Sequence, residues 1–286
     1  MSRWTARETM TVRLGERDYA VDHDWAGLDR AGTAGPISEI AWSGEHLWVL
    51  QRADPPLLVF DRDGRQVAEW AEGRIQDGHG LGADGAGGVL AVDRDAHQVL
   101  RFAGDGTLVG QWGERHRPRW AEPFNHPTAA AFGPDGSLWV TDGYGNARVH
   151  RFAPDGSLAL SFGALGEAPG QFRCPHAVAV AADGRVVVAD RDNDRVQVFT
   201  PAGEVLAVWS GFARPMAVGI DGDGWVYVTD QVPSLHRIAL DGTGRTRCRP
   251  ARNLPHGLAL AADGTIYLAE MNPRSLVRMR PLDPNG

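Results

Sequence analysis

Short apolar runs of four to six residues, rich in Val, Leu, Trp and Phe, recur along this chain and are separated by Asp-Gly pairs, and no stretch sustains a helical period. Two long segments show the plan most clearly. Residues 175–209, PHAVAVAADGRVVVADRDNDRVQVFTPAGEVLAVW, and residues 126–163, HPTAAAFGPDGSLWVTDGYGNARVHRFAPDGSLALSFG, both read as apolar strand, Asp-Gly turn, apolar strand ending in Asp, polar loop, strand, turn and strand. The glycine supplies the positive φ that such hairpin turns need. The same plan restarts at His79, Met216 and His256, and a more eroded copy fills 36–70. Six repeats of about 40–50 residues with four strands each predict an all-β, six-bladed β-propeller. The last copy ends after TIYLAE and SLVRMR, one strand short, while TVRLGERDYAVD at 11–22 alternates like a strand. That N-terminal strand is expected to complete the sixth blade and close the ring, leaving no open sheet edge, so residues 1–286 form a single domain.

The aspartates that end each second strand serve as a ruler. They are Asp93, Asp142, Asp190 and Asp230, with Gln51 and Glu270 in the same slot of blades one and six. Fourteen residues earlier stand Ile37, His79, Thr128, His176, Met216 and His256, at the entry to each innermost strand. Histidine thus occupies alternate blades, about 120° apart in a six-fold ring. Three imidazoles on one level would meet near the axis and hold a metal ion facially, with positions open to water or substrate. Neutral imidazole suits zinc first, with other transition metals compatible. His126 stands two residues before the slot and is expected at the surface or behind the site, Cys174 is expected to be a packed thiol, and His97, His150 and His236 read as solvated. Just beyond the ruler residue come Arg52, Arg94 and Arg191, and at plus two Tyr144. A guanidinium beside a metal can clamp a carboxylate, and a tyrosine beside a divalent cation can serve as a base.

Composition narrows the partners. A net charge of −7 without runs of like charge argues against nucleic acid and anionic membranes. The first 35 residues carry scattered charges in place of a secretory apolar stretch, and nothing approaches a membrane span. Two cysteines make no disulfide framework or CxxC motif, which suits buried thiols in a reducing cytoplasm.

The motifs DGYGNARV (142–149), CPHAVAV (174–180), ADRDNDRVQVF (189–199) and LPHGLAL (254–260) resemble the peptidyl-α-hydroxyglycine α-amidating lyase family, a branch of the NHL-repeat propellers. The likeness runs from about residue 36 onward and is strongest in blades three and four. It implies a zinc ion on His79, His176 and His256, an essential tyrosine at Tyr144, and essential arginines at Arg52 and Arg191. It also implies a structural calcium held partly by an aspartate directly after the third histidine. Gly257 stands there, which counts against calcium, although the Leu81 backbone is available. The paired cysteines and secretion signal of the animal enzymes are missing, which argues against peptide-hormone processing.

The expected activity is therefore a zinc-dependent lyase that splits the C–N bond of a carbinolamide, such as an N-acyl-α-hydroxyglycine, into an amide and an aldehyde such as glyoxylate. Its partner is a small molecule, carboxylate-bearing in this reading. Two alternatives stand beside it. A metal-dependent hydrolase or lactonase would use the same site to activate water, and a non-catalytic NHL scaffold would bind a ligand without turnover.

Overall fold

The computed structural model describes residues 10–23, 25–28 and 35–283. Part of the N-terminal stretch read for a secretion signal, 1–9 and 29–34, lies outside these residues. The chain begins with β1 (Met10–Leu14) and β2 (Arg17–Asp22). Blade one is β3 (Ile37–Ser43), β4 (His46–Gln51), β5 (Leu57–Phe60) and β6 (Gln66–Trp70). Blade two is β7 (Gly78–Ala83), β8 (Val89–Asp93), β9 (Gln98–Phe102) and β10 (Leu108–Gly113). Blade three is β11 (Ala129–Phe132), β12 (Leu138–Asp142), β13 (Arg148–Phe152) and β14 (Leu158–Phe162). Blade four is β15 (Pro175–Val180), β16 (Val186–Asp190), β17 (Arg195–Phe199) and β18 (Val205–Trp209). Blade five is β19 (Val218–Ile220), β20 (Trp225–Thr229), β21 (Leu235–Ala239) and β22 (Thr246–Cys248), and blade six begins with β23 (Pro255–Leu260), β24 (Ile266–Met271) and β25 (Arg274–Pro281). Each blade is an antiparallel meander, and the innermost strands β3, β7, β11, β15, β19 and β23 pack in a closed cycle, with β23 returning to β3. This is the expected six-bladed propeller. Among the described residues no helix is long and apolar enough to cross a membrane.

The closing stretch differs in detail from its sequence reading. Residues 10–22 form a hairpin and not one strand: β2 pairs with β25 as the fourth strand of blade six, and β1 adds a fifth outside it. Gly15 at φ +65 makes the turn that splits the alternating run.

Period-two alternation explains why the runs are apolar on both faces. In β4, Leu47 and Val49 pack toward blade six with Tyr267 and Ala269, whereas Trp48 and Leu50 pack toward blade two with Leu81 and Ala91. Six such wedges, one between each pair of neighbouring blades, make up the buried core. The Asp-Gly pairs sit in the hairpin turns as expected, with Gly184 at φ +87 and Gly264 at φ +82.

The ruler residues have a structural task. In every blade the buried side chain at the end of the second strand accepts a hydrogen bond from a backbone N–H in the loop that feeds the innermost strand. The pairs are Gly35 to Gln51 (2.9 Å), Gln76 to Asp93 (3.0 Å), Asn125 to Asp142 (2.9 Å), Arg173 to Asp190 (3.0 Å), Ala213 to Asp230 (3.2 Å) and Asn253 to Glu270. The third strand closes several of these carboxylates from behind, through Gln98, His150, Gln197 and His236. His150 and His236 are thus fully buried, as is most of His97, and not solvated. Their strands face the terminal carboxylates of β12 and β20, which a hydropathy pattern does not reveal.

Asp190 accepts from Asn193, Arg195 and the Arg173 backbone while shielded from water. Asp190→Ala should lower stability by about 3–5 kcal/mol, because a buried guanidinium loses its partner. Asp183→Ala, in an exposed turn, should cost about 1 kcal/mol or less. Denaturant unfolding of the two variants reads the contrast, and equal losses would refute it.

Candidate metal centre

The entry loops set where the channel side chains stand. The β7, β15 and β23 registers jump by one residue between Gly78 and Gly80, Pro175 and Ala177, and Pro255 and Gly257. The unpaired residue at each bulge is a histidine: His79, His176 and His256. A bulge frees its residue from the ladder and re-aims the side chain, here into the channel. Blade one corrects the ruler. Its bulge lies between Ile37 and Glu39, so Ser38, not Ile37, holds the slot, because this eroded copy is one residue shorter between slot and ruler. The neighbouring strands approach closely: a Cβ on Gly80 would stand 2.3 Å from the Thr128 carbonyl oxygen.

The three histidines are buried, and one ring nitrogen from each lies within 4.8 Å of the others. Ring centroids are 4.8, 5.3 and 5.1 Å apart, with the rings edge to face. Each ring leans on the slot of the next blade. His79 Nδ1 bonds the Thr128 carbonyl at 2.8 Å and His176 Nδ1 the Met216 carbonyl at 2.7 Å. His256 Nδ1 has no partner within hydrogen-bond geometry, although the Ser38 backbone lies near enough to offset part of its burial. A carbonyl at Nδ1 requires the proton there, which turns the Nε2 lone pair inward, the tautomer a metal ligand needs. Burial first, then the neighbouring imidazoles, hold His79 and His176 well below the ordinary histidine range, and burial pushes His256 down to about 4. Three neutral imidazoles, two of them oriented by backbone carbonyls, fit a divalent transition metal, and this donor set alone does not choose which one.

Tyr144 reaches this cluster from the loop after β12. Its hydroxyl lies 3.0 Å from His79 Nε2 and 3.4 Å from His176 Nε2, and it accepts a hydrogen bond from Arg191 Nη1 at 2.9 Å. Burial raises the phenol above its ordinary value, against the lowering influence of Arg191 and Arg94. Arg191 lies 5.2 Å from the Tyr144 ring centre and is braced by Asp192. Arg52 sits across the mouth, its Nε bonded to Ser38 Oγ at 2.9 Å and 3.3 Å from Asp77. Two residues that the family resemblance did not include join them. Arg94 packs 5.5 Å from the Tyr144 ring centre and pairs with Asp77, and Asp77 links Arg94 to Arg52. Arg94 was legible as the plus-one residue of blade two, whereas Asp77, two residues before His79, carried no signal of its own. The plus-one arginines share a local cause: the backbone N–H of Arg52, Arg94 and Arg191 each bonds the carbonyl two residues before its slot, which turns the loop back over the mouth.

The remaining nearby groups are structural. Cys174 is buried, its thiol pushed up to about 12 by burial, while Cys248 is only half-buried, less than expected. His126 lies behind the site, its N–H bonded to His97 Nδ1 at 3.1 Å. Below the histidines the channel opens into a cavity of about 260 Å³ that includes Glu39 among its lining. Glu39 Oε1 accepts from Ile40 N–H and Leu258 N–H, and a Cβ on Gly257 would meet this oxygen at 2.6 Å. The space of an aspartate after His256 is therefore taken by a carboxyl from the neighbouring blade. These residues do not fit the calcium site as the resemblance draws it.

Fold and site together define a six-bladed β-propeller with a three-histidine centre on its axis. Residues 124–152 and 172–199 match the NHL repeat family. The chain is similar to a probable peptidyl-alpha-hydroxyglycine alpha-amidating lyase of Caenorhabditis elegans, at 28% identity over 79% of this chain and 70% of that one. It is 30% identical to peptidyl-glycine alpha-amidating monooxygenase A of Xenopus laevis over 91% of its own length, while spanning 33% of that longer protein. Among solved structures, a gluconolactonase of Xanthomonas campestris aligns with a TM-score of 0.71 at 15% identity, covering 97% of this chain and 96% of that one. A virginiamycin B lyase of Staphylococcus aureus aligns at 0.64 and 13%, covering 92% of this chain and 100% of that one. These structural likenesses concern the fold alone.

Burial raises the Glu39 carboxyl from its ordinary 4.5 to about 8. Between those values the unfolded chain has released a proton that the folded chain keeps, so stability falls as pH rises through this window. Read between about pH 7.5 and 9, above the ordinary histidine value so that the histidines are close to neutral in both states, the native protein should lose about 1 kcal/mol. Glu39→Gln should flatten that slope, and an unchanged slope in thermal unfolding would refute the assignment.

Proposed function

We propose that this protein is a zinc-dependent lyase that splits the C–N bond of a carbinolamide bearing a carboxylate, with an N-acyl-α-hydroxyglycine as the model substrate. The observation that carries this reading is the Tyr144 hydroxyl seated on two of three converging neutral histidines with a guanidinium against it. Similarity to proteins named for amidating-lyase activity supports it.

A divalent metal held by His79, His176 and His256 would supply positive charge beside the substrate hydroxyl and favour its ionised form. Arg52 and Arg94 would receive the carboxylate. Among the described residues the Nη atoms of Arg52 have no partner, and Asp77 holds both side chains facing the mouth. Arg191 and Arg94 flank the Tyr144 ring, and their charge favours the phenolate that a general base requires. Tyr144 would take the hydroxyl proton. The carbon–oxygen bond of the aldehyde forms as the C–N bond breaks, and the nitrogen leaves with the proton that Tyr144 returns. The products are a primary amide and glyoxylate, with no net uptake of water. The thiols suit a reducing cytoplasm as the setting.

Tyr144→Phe should lower glyoxylate release by about 10²–10⁴-fold with metal content unchanged. Full activity in that variant would remove the tyrosine from the reaction. Metal analysis of protein purified without chelator should find one zinc per chain, and His176→Ala should lose it. A screen that finds carboxylic acid in place of aldehyde would support a hydrolase or lactonase, and stoichiometric ligand binding without turnover would support a scaffold.

A further inference from the structure

Among the described residues the two most exposed large apolar side chains are Trp120 at 81% and Leu165 at 75%. Most others of this kind lie on outermost strands, at Val67, Val109, Leu158 and Leu206, where single exposed apolar residues are ordinary. Trp120 and Leu165 instead border one groove of about 300 Å³ beside the channel mouth, with Ala147 and Tyr144 in its lining and the cationic Arg148 and Arg173 at its edge. The same tyrosine thus forms the wall of the groove and touches the histidine cluster.

Both side chains are held out by fixed backbone. Asn146 clamps the Trp120 loop from both sides, donating to the carbonyls of Arg119 (3.0 Å) and Glu122 (2.9 Å) and accepting from the Ala121 N–H (3.0 Å). In the next blade Asn193 donates to the Gly166 carbonyl at 2.9 Å, and Leu165 bridges Phe172. An apolar surface kept exposed by rigid loops is preorganised for a ligand, because little ordering entropy is left to lose on binding. Its volume is at the lower end of what small-molecule sites occupy.

We infer that this groove is the subsite for the acyl arm of the substrate, and that it selects apolar acyl groups, aromatic or medium-chain aliphatic, over short ones. This rests on the lyase reading for which end of the molecule enters the metal centre: with the carboxylate at Arg52 and Arg94 and the hydroxyl at Tyr144, the acyl group leaves on the side of Trp120 and Leu165.

The test uses the zinc-loaded full chain with two unreactive probes, N-octanoylglycine and N-acetylglycine, in titration calorimetry. N-octanoylglycine should bind about 10- to 100-fold more tightly. Trp120→Ala and Leu165→Ser should each cut that preference by about tenfold and leave N-acetylglycine binding unchanged. Glyoxylate release from the matching α-hydroxyglycines should show the same ratio in KM. Equal binding of the two probes, or a preference untouched by both variants, overturns the subsite. Glyoxylate release without acyl preference overturns the subsite and leaves the lyase reading standing. A preference that depends on Trp120, with no glyoxylate from either substrate, overturns the lyase reading and supports the groove as an apolar acyl-carboxylate site.

Discussion

The channel depends on one repeated interaction, the buried acceptor at the end of each second strand that takes a backbone N–H from the loop three residues before the innermost slot. A buried carboxylate must find donors, and a buried backbone N–H must find an acceptor. Satisfying both at once locks the loop to the strand. In blades one, two, four and six the bulge that follows then leaves one residue out of the ladder, and in three of them that residue is a histidine. The repeat decides the position, and the residue type decides the chemistry. Histidine in three blades makes a polar cluster, while the backbone carbonyls of Thr128 and Met216 orient two of its rings and the Ser38 hydroxyl accepts from Arg52.

Electrostatics at the mouth follow from the same frame. Burial keeps three imidazoles uncharged, so the positive charge of the site comes from arginines on the loops and not from the cluster itself. Arg52 and Arg94 share Asp77, and Arg191 leans on Asp192, so each guanidinium is positioned by a carboxylate behind it. Tyr144 stands where the neutral cluster and the cationic loops meet, and it forms one edge of the apolar groove. A single side chain therefore touches three environments of different polarity, which is an arrangement suited to a substrate with a charged end, a reacting centre and an apolar end.

Much of this was legible before the structure. Asp-Gly turns and apolar runs buried on both faces announce blades, and a constant spacing from Asp93, Asp190 and Glu270 led to His79, His176 and His256. Where the reading slipped, the cause was physical. The ruler misplaced the blade-one slot because one residue is lost between Ser38 and Gln51, and spacing carries no register of its own. His150 and His236 looked solvated because hydropathy is blind to a carboxylate on the adjacent strand. The Gly15 turn that divides 10–22 into two strands was hidden by the alternation on either side of it.

By itself, then, the sequence determined the repeat, the blade number, the slot that points inward and the residue types at the mouth, because those depend on local spacing and turn chemistry. Only the tertiary structure decided which groups meet across blades. Asp77 between two arginines, Glu39 filling the space at Gly257, and Trp120 facing Leu165 all join residues from different blades or from loops of variable length. Their encounter depends on how the closed ring brings those loops together, and a one-dimensional pattern records no such distance.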